Sequence, residues 1–388
     1  MKKVPGYLDR YPAKMVTTLA DKIISSYVED NSVILDPFCG SGAILKAAIK
    51  KNCQVYGMDI NPYAILLSSV KLKGFDIKDA NNFLEIIISE CKKTKSQLAT
   101  TLQNMNYWFT PKTLEKLNKL RYHLHYKKAA NSKEGQAVLL AFALTIRRVS
   151  RADQRSPKPF ISKVSIERTK GRHLDPYIEI IEILEKLSGL YGDVVNPNNI
   201  FLDCADCTNS ATFKIEKKSI THIITSPPYI NAQDYFRNSK LELFFLEGIL
   251  NFNVLDIKQS FIGTESGSLA VTKSLGIEKI NRVTKKIGNI NKRLSLVVLK
   301  YFSDMNAVFD NTYDLLGKNG KLVLVCGDNV VCGKHIETWQ VLNNMAEMRG
   351  YKIIDHFKDK ILNRSLAPSR MGHKSFIKDE SVTVFLKN

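Results

Sequence analysis

Val33-Ile34-Leu35-Asp36-Pro37-Phe38-Cys39-Gly40-Ser41-Gly42 is a short apolar run that breaks into a glycine-rich turn, and Ala43 to Lys51 continues it as a helical stretch. Gly40 and Gly42 let the chain turn sharply and bring its backbone close to a ligand. The start of the next helix offers N–H groups with no intrahelical acceptor. Strand, tight turn and helix in that order form the opening unit of a parallel α/β sheet.

The same rhythm runs outward. Val55 to Ile60 reads as a second strand, and Pro62 opens a helix to about Lys73, at a position where its missing N–H costs nothing. Residues 76–196 then read as mostly helical. Strands return at Ile200 to Cys204 and His222 to Thr225. A second interruption, roughly 235–300, is basic and holds a Gly/Ser/Thr stretch from Gly263 to Gly267. Beyond it come a turn at Gly317 to Gly320, a strand at Lys321 to Cys326, and a helix from about Ile336 to Arg349. Two last strands follow, at Tyr351 to Ile354 and Ser381 to Leu386. Continuous apolar strands separated by helices predict a parallel sheet covered on both faces, with ligands beyond the carboxyl ends of its strands. Residues 1–75 and 197–388 are expected to be two parts of one sheet domain, interrupted by a helical insertion over 76–196.

The 388 residues carry 57 Lys and Arg against 38 Asp and Glu, a formal charge of +19, and are 44% hydrophobic. That composition suits a globular protein with a polyanionic partner, nucleic acid first. No apolar segment follows the start as a secretory signal would. The longest apolar stretch, Ala137 to Ile146, is too short to span a bilayer and reads as a buried helix. No membrane partner and a cytoplasmic location are expected. The seven cysteines show no disulfide spacing, and Cys204 and Cys207 lack the second pair a zinc site needs, so no metal is expected.

A strand–turn–helix with glycines serves nicotinamide, flavin and S-adenosylmethionine sites alike, and this one lacks the GxGxxG spacing of dinucleotide sites. Asp59, ending the second strand, is placed to accept from ribose hydroxyls, or else to cap the helix at Pro62. Asp206 is placed to accept from an adenine amino group, or to make a turn. Thr225-Ser226-Pro227-Pro228-Tyr229 is more specific. Two prolines directly after a core strand cannot donate to a ladder. The backbone is therefore rigid where the strand ends, with carbonyls free, the Ser226 hydroxyl beside them and the flat ring of Tyr229 next. Acceptors plus a stacking ring are what a flipped-out base requires.

Asp36-Pro-Phe-Cys-Gly-Ser-Gly42 and Thr225-Ser-Pro-Pro-Tyr229 resemble motifs I and IV of the amino-methylating (cytosine-N4/adenine-N6) DNA methyltransferases. Tyr11-Pro-Ala-Lys-Met15 is similar to their motif X, and Ile230 to Arg237 to the continuation of motif IV. The resemblance implies a Rossmann-like class I S-adenosylmethionine-dependent methyltransferase: α/β, with a mostly parallel seven-stranded sheet and helical insertions. It implies that Tyr11, Lys14, Asp36, Phe38, Gly40, Gly42, Asp59, Ile60 and Asp206 bind S-adenosylmethionine, and that Ser226, Pro227, Pro228 and Tyr229 carry catalysis. Ser-Pro-Pro-Tyr is in that family mostly associated with cytosine-N4 methylation, and Asp-Pro-Pro-Tyr with adenine-N6. The family's recognition region usually lies elsewhere than the insertions seen here. No Pro-Cys dipeptide occurs, so the nucleophile of cytosine-C5 enzymes is absent, and Cys39 and Cys332 read as packing residues.

Double-stranded DNA is then the expected partner, with a cognate restriction endonuclease acting on the same site. Between Lys127 and Arg172 twelve Lys and Arg face three acidic residues, and between Thr272 and Lys300 eight face one. Arg147, Arg148, Arg151, Arg155 and Arg237 are expected to contact DNA. Asp234 is a candidate proton acceptor by proximity in sequence, and Arg370 a candidate backbone contact. The alternatives are an adenine-N6 enzyme, an RNA methyltransferase and a catalytically inactive DNA-binding module. A nicotinamide oxidoreductase would leave Thr225 to Tyr229 unexplained.

Overall fold

The computed structural model describes residues 8, 11, 15–170, 174–192, 197–230, 235–265, 269, 275–360 and 379–388. Lys14, Asp234 and Arg370 lie outside the described residues. Nine strands are described: β1 (Val33–Asp36), β2 (Gln54–Asp59), β3 (Ile200–Cys204), β4 (Ile220–Thr225), β5 (Leu316–Cys326), β6 (Asn329–Val331), β7 (Lys334–Ile336), β8 (Tyr351–Lys360) and β9 (Asp379–Lys387). Seven form one sheet in the order β3-β2-β1-β4-β5-β9-β8, while β6 and β7 make a separate hairpin. Strands β1 to β5 pair in parallel, and β9 runs antiparallel to both its neighbours. This is the α/β, mostly parallel, seven-stranded sheet the sequence predicts.

Both faces of the sheet are apolar because successive residues of a strand point to opposite sides. On β5, Leu322 and Leu324 join the core beneath helices Lys292–Tyr313 and Thr338–Glu347. Val323 and Val325 face the other core, closed by helices Thr17–Tyr27 and Ala43–Ile49. From β1 the chain steps outward to β2 and β3, then returns to the other side of β1 as β4. The strand order therefore reverses between β1 and β4, and a crevice opens at their carboxyl ends.

Between β2 and β3 the described chain is helical. Helices Pro62–Lys73, Ile77–Lys93, Pro111–Tyr126, Lys133–Val149 and Pro176–Tyr191 share a core of their own, which helix Lys240–Leu246 joins. Lys133–Val149 is its centre, and every residue from Ala137 to Ile146 is buried. Helices pack around it on several sides, which is why its apolar residues run on instead of following one stripe.

Three boundaries differ from the sequence expectation. Strand β5 begins at Leu316 and runs through the predicted turn at Gly317 to Gly320. Strand β8 continues to Lys360, its outer half held by backbone pairing of residues such as Asp359 with Glu380, which no apolar pattern announces. The hairpin β6–β7 occupies the predicted start of the helix, which begins instead at Thr338. Among the described residues no helix is long and apolar enough to cross a membrane.

Candidate active site

The carboxyl ends of β1, β2 and β4 meet at a cleft lined by Asp36, Asp59 and Ser226 among others, at the place where ligands sit in open α/β sheets. The glycine turn forms its floor. Gly40 and Gly42 take φ of +49° and +74°, a region that side chains disfavour. A Cβ on Gly40 would also stand 2.8 Å from the Tyr11 ring, so this glycine is needed for both conformation and space. The Ser68 hydroxyl donates to the Gly40 carbonyl at 2.8 Å and holds the turn against helix Pro62–Lys73.

Two buried carboxylates anchor the floor. Asp59 accepts from the Gly40 N–H and the Asn61 N–H, both at 2.9 Å, and from the Tyr11 hydroxyl at 3.4 Å. Asp36 accepts from the Phe38 N–H at 3.1 Å and from the Thr225 hydroxyl at 2.7 Å. That last bond ties the end of β1 to the residue just before Ser-Pro-Pro. Burial, which disfavours the charged form, raises Asp36 from 3.8 to about 7 and Asp59 from 3.8 to about 6, against the hydrogen bonds that lower both. Asp206 commits its Oδ1 to the N–H and hydroxyl of Thr208, at 2.9 and 2.7 Å.

The described lining contains three carboxylates, Asp36, Asp59 and Asp206, and no Lys or Arg. In a chain of net charge +19, this is a cleft for a cation with apolar surface, supplied on the protein side by Met15, Phe38, Ile44 and Ile60. A pyrophosphate would add negative charge beside these three carboxylates. The adenosine and sulfonium parts of S-adenosylmethionine fit this donor set.

The structure gathers most of the predicted cofactor residues here: Tyr11, Asp36, Phe38, Gly40, Asp59, Ile60 and Asp206 line the cleft, with Ser226 and Pro228 opposite. Gly42 lies below, where a Cβ would come 3.0 Å from the Ser68 hydroxyl. Pro227, between Ser226 and Pro228, is buried and is not among the residues that line the cleft. The Tyr229 hydroxyl donates to Glu380 on β9 at 2.6 Å. At that point the cleft wall is Tyr235, whose hydroxyl burial pushes up and the Tyr229 backbone N–H opposes.

Sequence reasoning missed several partners. Thr225 opens the Thr-Ser-Pro-Pro-Tyr motif, but nothing local shows that its hydroxyl reaches Asp36. Tyr235, inside the stretch Ile230 to Arg237, lines the cleft without any local pattern that marks it. Glu380 and the segment Ser260-Phe261-Ile262 reach the site through the fold alone. One trace existed: Gly263 takes φ +76°, and a Cβ there would stand 2.9 Å from the Tyr229 carbonyl.

The predicted DNA-contacting arginines are placed differently. Arg147 is 3% exposed, and its Nη2 donates to the carbonyls of Asp153 and Ser156 at 3.1 and 2.8 Å. It clamps the following loop from inside, so the expectation of a DNA contact at Arg147 is corrected. Arg148 pairs with Glu179 at 3.1 Å. Arg151 donates to the Asn106 carbonyl at 2.9 Å. Arg155 grips Asp153 through two bonds, at 3.0 and 2.7 Å, with its side chain largely exposed. Arg237 is exposed on the short helix Tyr235–Asn238. Cys207 donates to the Pro37 carbonyl at 2.9 Å, and Cys204 lies 3.5 Å from the Ile60 carbonyl, so the two thiols serve separate contacts.

Residues 2–70 match the family model of the N6/N4 methyltransferases, described as DNA methylase. The chain is 28% identical over 126 residues to the type II methyltransferase M.MjaII of Methanocaldococcus jannaschii, spanning 32% of this chain and 23% of that protein. It is 22% identical to the type II methyltransferase M.MvaI of Kocuria varians, over 96% of this chain and 87% of the relative. With the type II methyltransferase M.AvaI of a Nostoc species it shares 24% identity, over 94% of this chain and 81% of the relative.

Proposed function

We propose that this chain, which belongs to the amino-methylating DNA methyltransferases, transfers a methyl group to the exocyclic N4 of cytosine in double-stranded DNA. The observation that carries the reading is the Thr225–Asp36 hydrogen bond of 2.7 Å. It fixes the Ser-Pro-Pro segment against the turn that floors the acidic cleft, so a base held by one is within reach of a cofactor held by the other. The position before the prolines is a neutral hydroxyl, Ser226, where adenine-N6 members usually carry Asp.

S-adenosylmethionine, when bound, supplies a sulfonium methyl open to nucleophilic attack. Asp59 accepts from ribose hydroxyls, while the Oδ2 of Asp206 is left for the adenine amino group. Asp36, Tyr11, Phe38 and Ile60 enclose the rest. Ser226 and the Pro227 carbonyl accept from the target amino group and turn its nitrogen toward the cleft floor. Pro228 and Tyr235 support the base, and Phe261 and Ile262 exclude water. Positioning supplies most of the rate gain, with no covalent enzyme intermediate. The new N–C bond forms as the sulfonium S–C bond breaks, which leaves a neutral thioether, and one proton is lost from the amino group.

The type II names of the relatives support a restriction–modification setting with a cognate endonuclease reading the same site, and the proposed reading puts the enzyme with its DNA in the cytoplasm. The helical stretch 76–196 is the proposed recognition region. The test is incubation with DNA and labelled S-adenosylmethionine, followed by digestion to nucleosides. N4-methylcytosine is the expected product. N6-methyladenine would move the target base and keep the site, whereas no methylated deoxynucleoside would overturn the reading.

A further inference from the structure

The segment that closes the cleft has an outer side. Residue Tyr235 lines the cleft, and two residues on, Arg237 is exposed. Arg237 and Lys258 both act on Lys240, whose ammonium is pushed down by burial first and by these two cations next. Lys258 also lies over the Phe236 ring, 5.8 Å from its centroid. Three cations thus gather on helices Tyr235–Asn238, Lys240–Leu246 and Val254–Ser260. Arg237 and Lys258 are exposed, so the positive potential of the cluster reaches solvent, where a polyanion meets it.

Beside this cluster runs a broad groove between two parts of the chain. Lys240, Phe244, Asn253 and Leu255 form one wall, and residues 101–108 form the other. The apolar surface here is open: Leu255 is 60% and Tyr107 53% exposed. The Tyr107 ring stands edge-on to Trp108 at 4.9 Å. Arg151 braces that loop, its backbone N–H bonding the Trp108 carbonyl at 2.8 Å and its guanidinium the Asn106 carbonyl at 2.9 Å. The one carboxylate in the described lining, Glu247, accepts from the Thr101 hydroxyl at 2.5 Å and the Val254 N–H at 2.9 Å. Exposed rings beside cations are the chemistry of nucleic-acid grooves.

The groove and the cleft share helix Val254–Ser260. Leu255 lines the first and Ser260 the second. Five residues at 1.5 Å each separate them by roughly 8 Å, about two nucleotide steps of one DNA strand.

We propose that this groove seats the DNA strand flanking the nucleotide presented to the cleft, with Lys240, Lys258 and Arg237 on its phosphates and Tyr107 against a sugar or base face. The inference rests on the proposed DNA methylation. It places the phosphate contacts on the chain after Ser-Pro-Pro-Tyr and not on the arginine run at 147–151.

The test uses the full chain and a fluorescein-labelled duplex of mixed sequence, with anisotropy read across a salt series. Replacing Lys240 and Lys258 together by Gln removes two phosphate contacts. The slope of log K against log salt should fall by about 1.8, at about 0.9 for each contact. Affinity at low salt should drop at least tenfold, with S-adenosylmethionine affinity unchanged by calorimetry. Tyr107→Ala should weaken binding severalfold and leave the slope alone. A control pair, Lys217→Gln with Lys218→Gln, exposed just before the amino end of β4, removes the same charge away from the cleft and should lose less. Equal loss from the control pair, or an unchanged slope in the groove pair while the parent protein binds DNA, would overturn the groove. A parent protein that binds no duplex would instead overturn the functional reading beneath it.

Discussion

The cleft at the strand ends and the helical layer beside it treat charge in opposite ways. The cleft belongs to a strongly basic chain, yet its described walls hold three carboxylates and no cation. The helical layer contains the densest arginine run, and there Arg147 turns inward to bond backbone carbonyls while Arg148 pairs with Glu179. Exposed cations stand also on the short helices after β4, at Arg237 and Lys258. Net charge therefore points to a class of partner, whereas the surface that meets it is decided by which side chains the packing leaves outside.

The sharpest way to break this contrast is at the cleft. Asp59→Ala removes an acceptor for the ligand and frees the Gly40 and Asn61 N–H groups it orients. Losing a hydrogen bond to a charged group costs about 1.5–3 kcal/mol. Calorimetry should show cofactor affinity falling roughly ten- to a hundredfold, and unchanged affinity would remove Asp59 from the site.

At the helical layer the expected effect is on stability. Arg147→Ala leaves the carbonyls of Asp153 and Ser156 without their buried donor and opens a cavity, at about 3 kcal/mol. A thermal melt should show Tm lower by several degrees, with the DNA salt slope unaltered. Loss of DNA binding without loss of Tm would restore Arg147 as a contact. Lys240→Gln with Lys258→Gln should give the reverse pattern.

A third measurement varies pH. Asp36 and Asp59, held at about 7 and about 6 by burial, are protonated in mild acid, and a cationic ligand favours their ionised forms. S-adenosylmethionine should therefore bind more weakly as pH falls from 8 to 5.5, by up to about tenfold per unit for each carboxyl titrating. S-adenosylhomocysteine, which lacks the sulfonium charge, should show a shallower dependence, and identical profiles would refute the electrostatic account. Stability of the free protein follows the opposite sign. Raised carboxyls hold more protons folded than unfolded, so these two groups make the fold less stable as pH rises from about 4 to 7.

The smallest effect concerns Tyr229. Its hydroxyl is held by Glu380, and Glu380→Gln keeps an acceptor there. About a twofold change in kcat is expected, with Glu380→Ala larger. If Ala and Gln behave alike, the bond does not position the Ser-Pro-Pro-Tyr segment.

Much of the cleft was legible because its residues sit where strands end. Asp36, Gly40, Asp59 and Ser226 each follow a short apolar run, and a parallel sheet brings all such ends to one edge. Tyr235, Phe261 and Glu380 come from a helix, a loop and an edge strand whose local patterns do not refer to β4. Tyr229 shows the limit in the other direction: its motif was evident, but the direction of its hydroxyl depends on β9, 151 residues away.

By itself the sequence determined the alternation of strands and helices, the apolar cores on both sheet faces and the glycine turn. These depend on residue spacing and on the φ values open to glycine, both local. Only the tertiary structure decided which carboxylates share a cleft, which arginines are internal and where cations face a groove. Burial and charge proximity are set by segments distant in the chain, and no local pattern contains them.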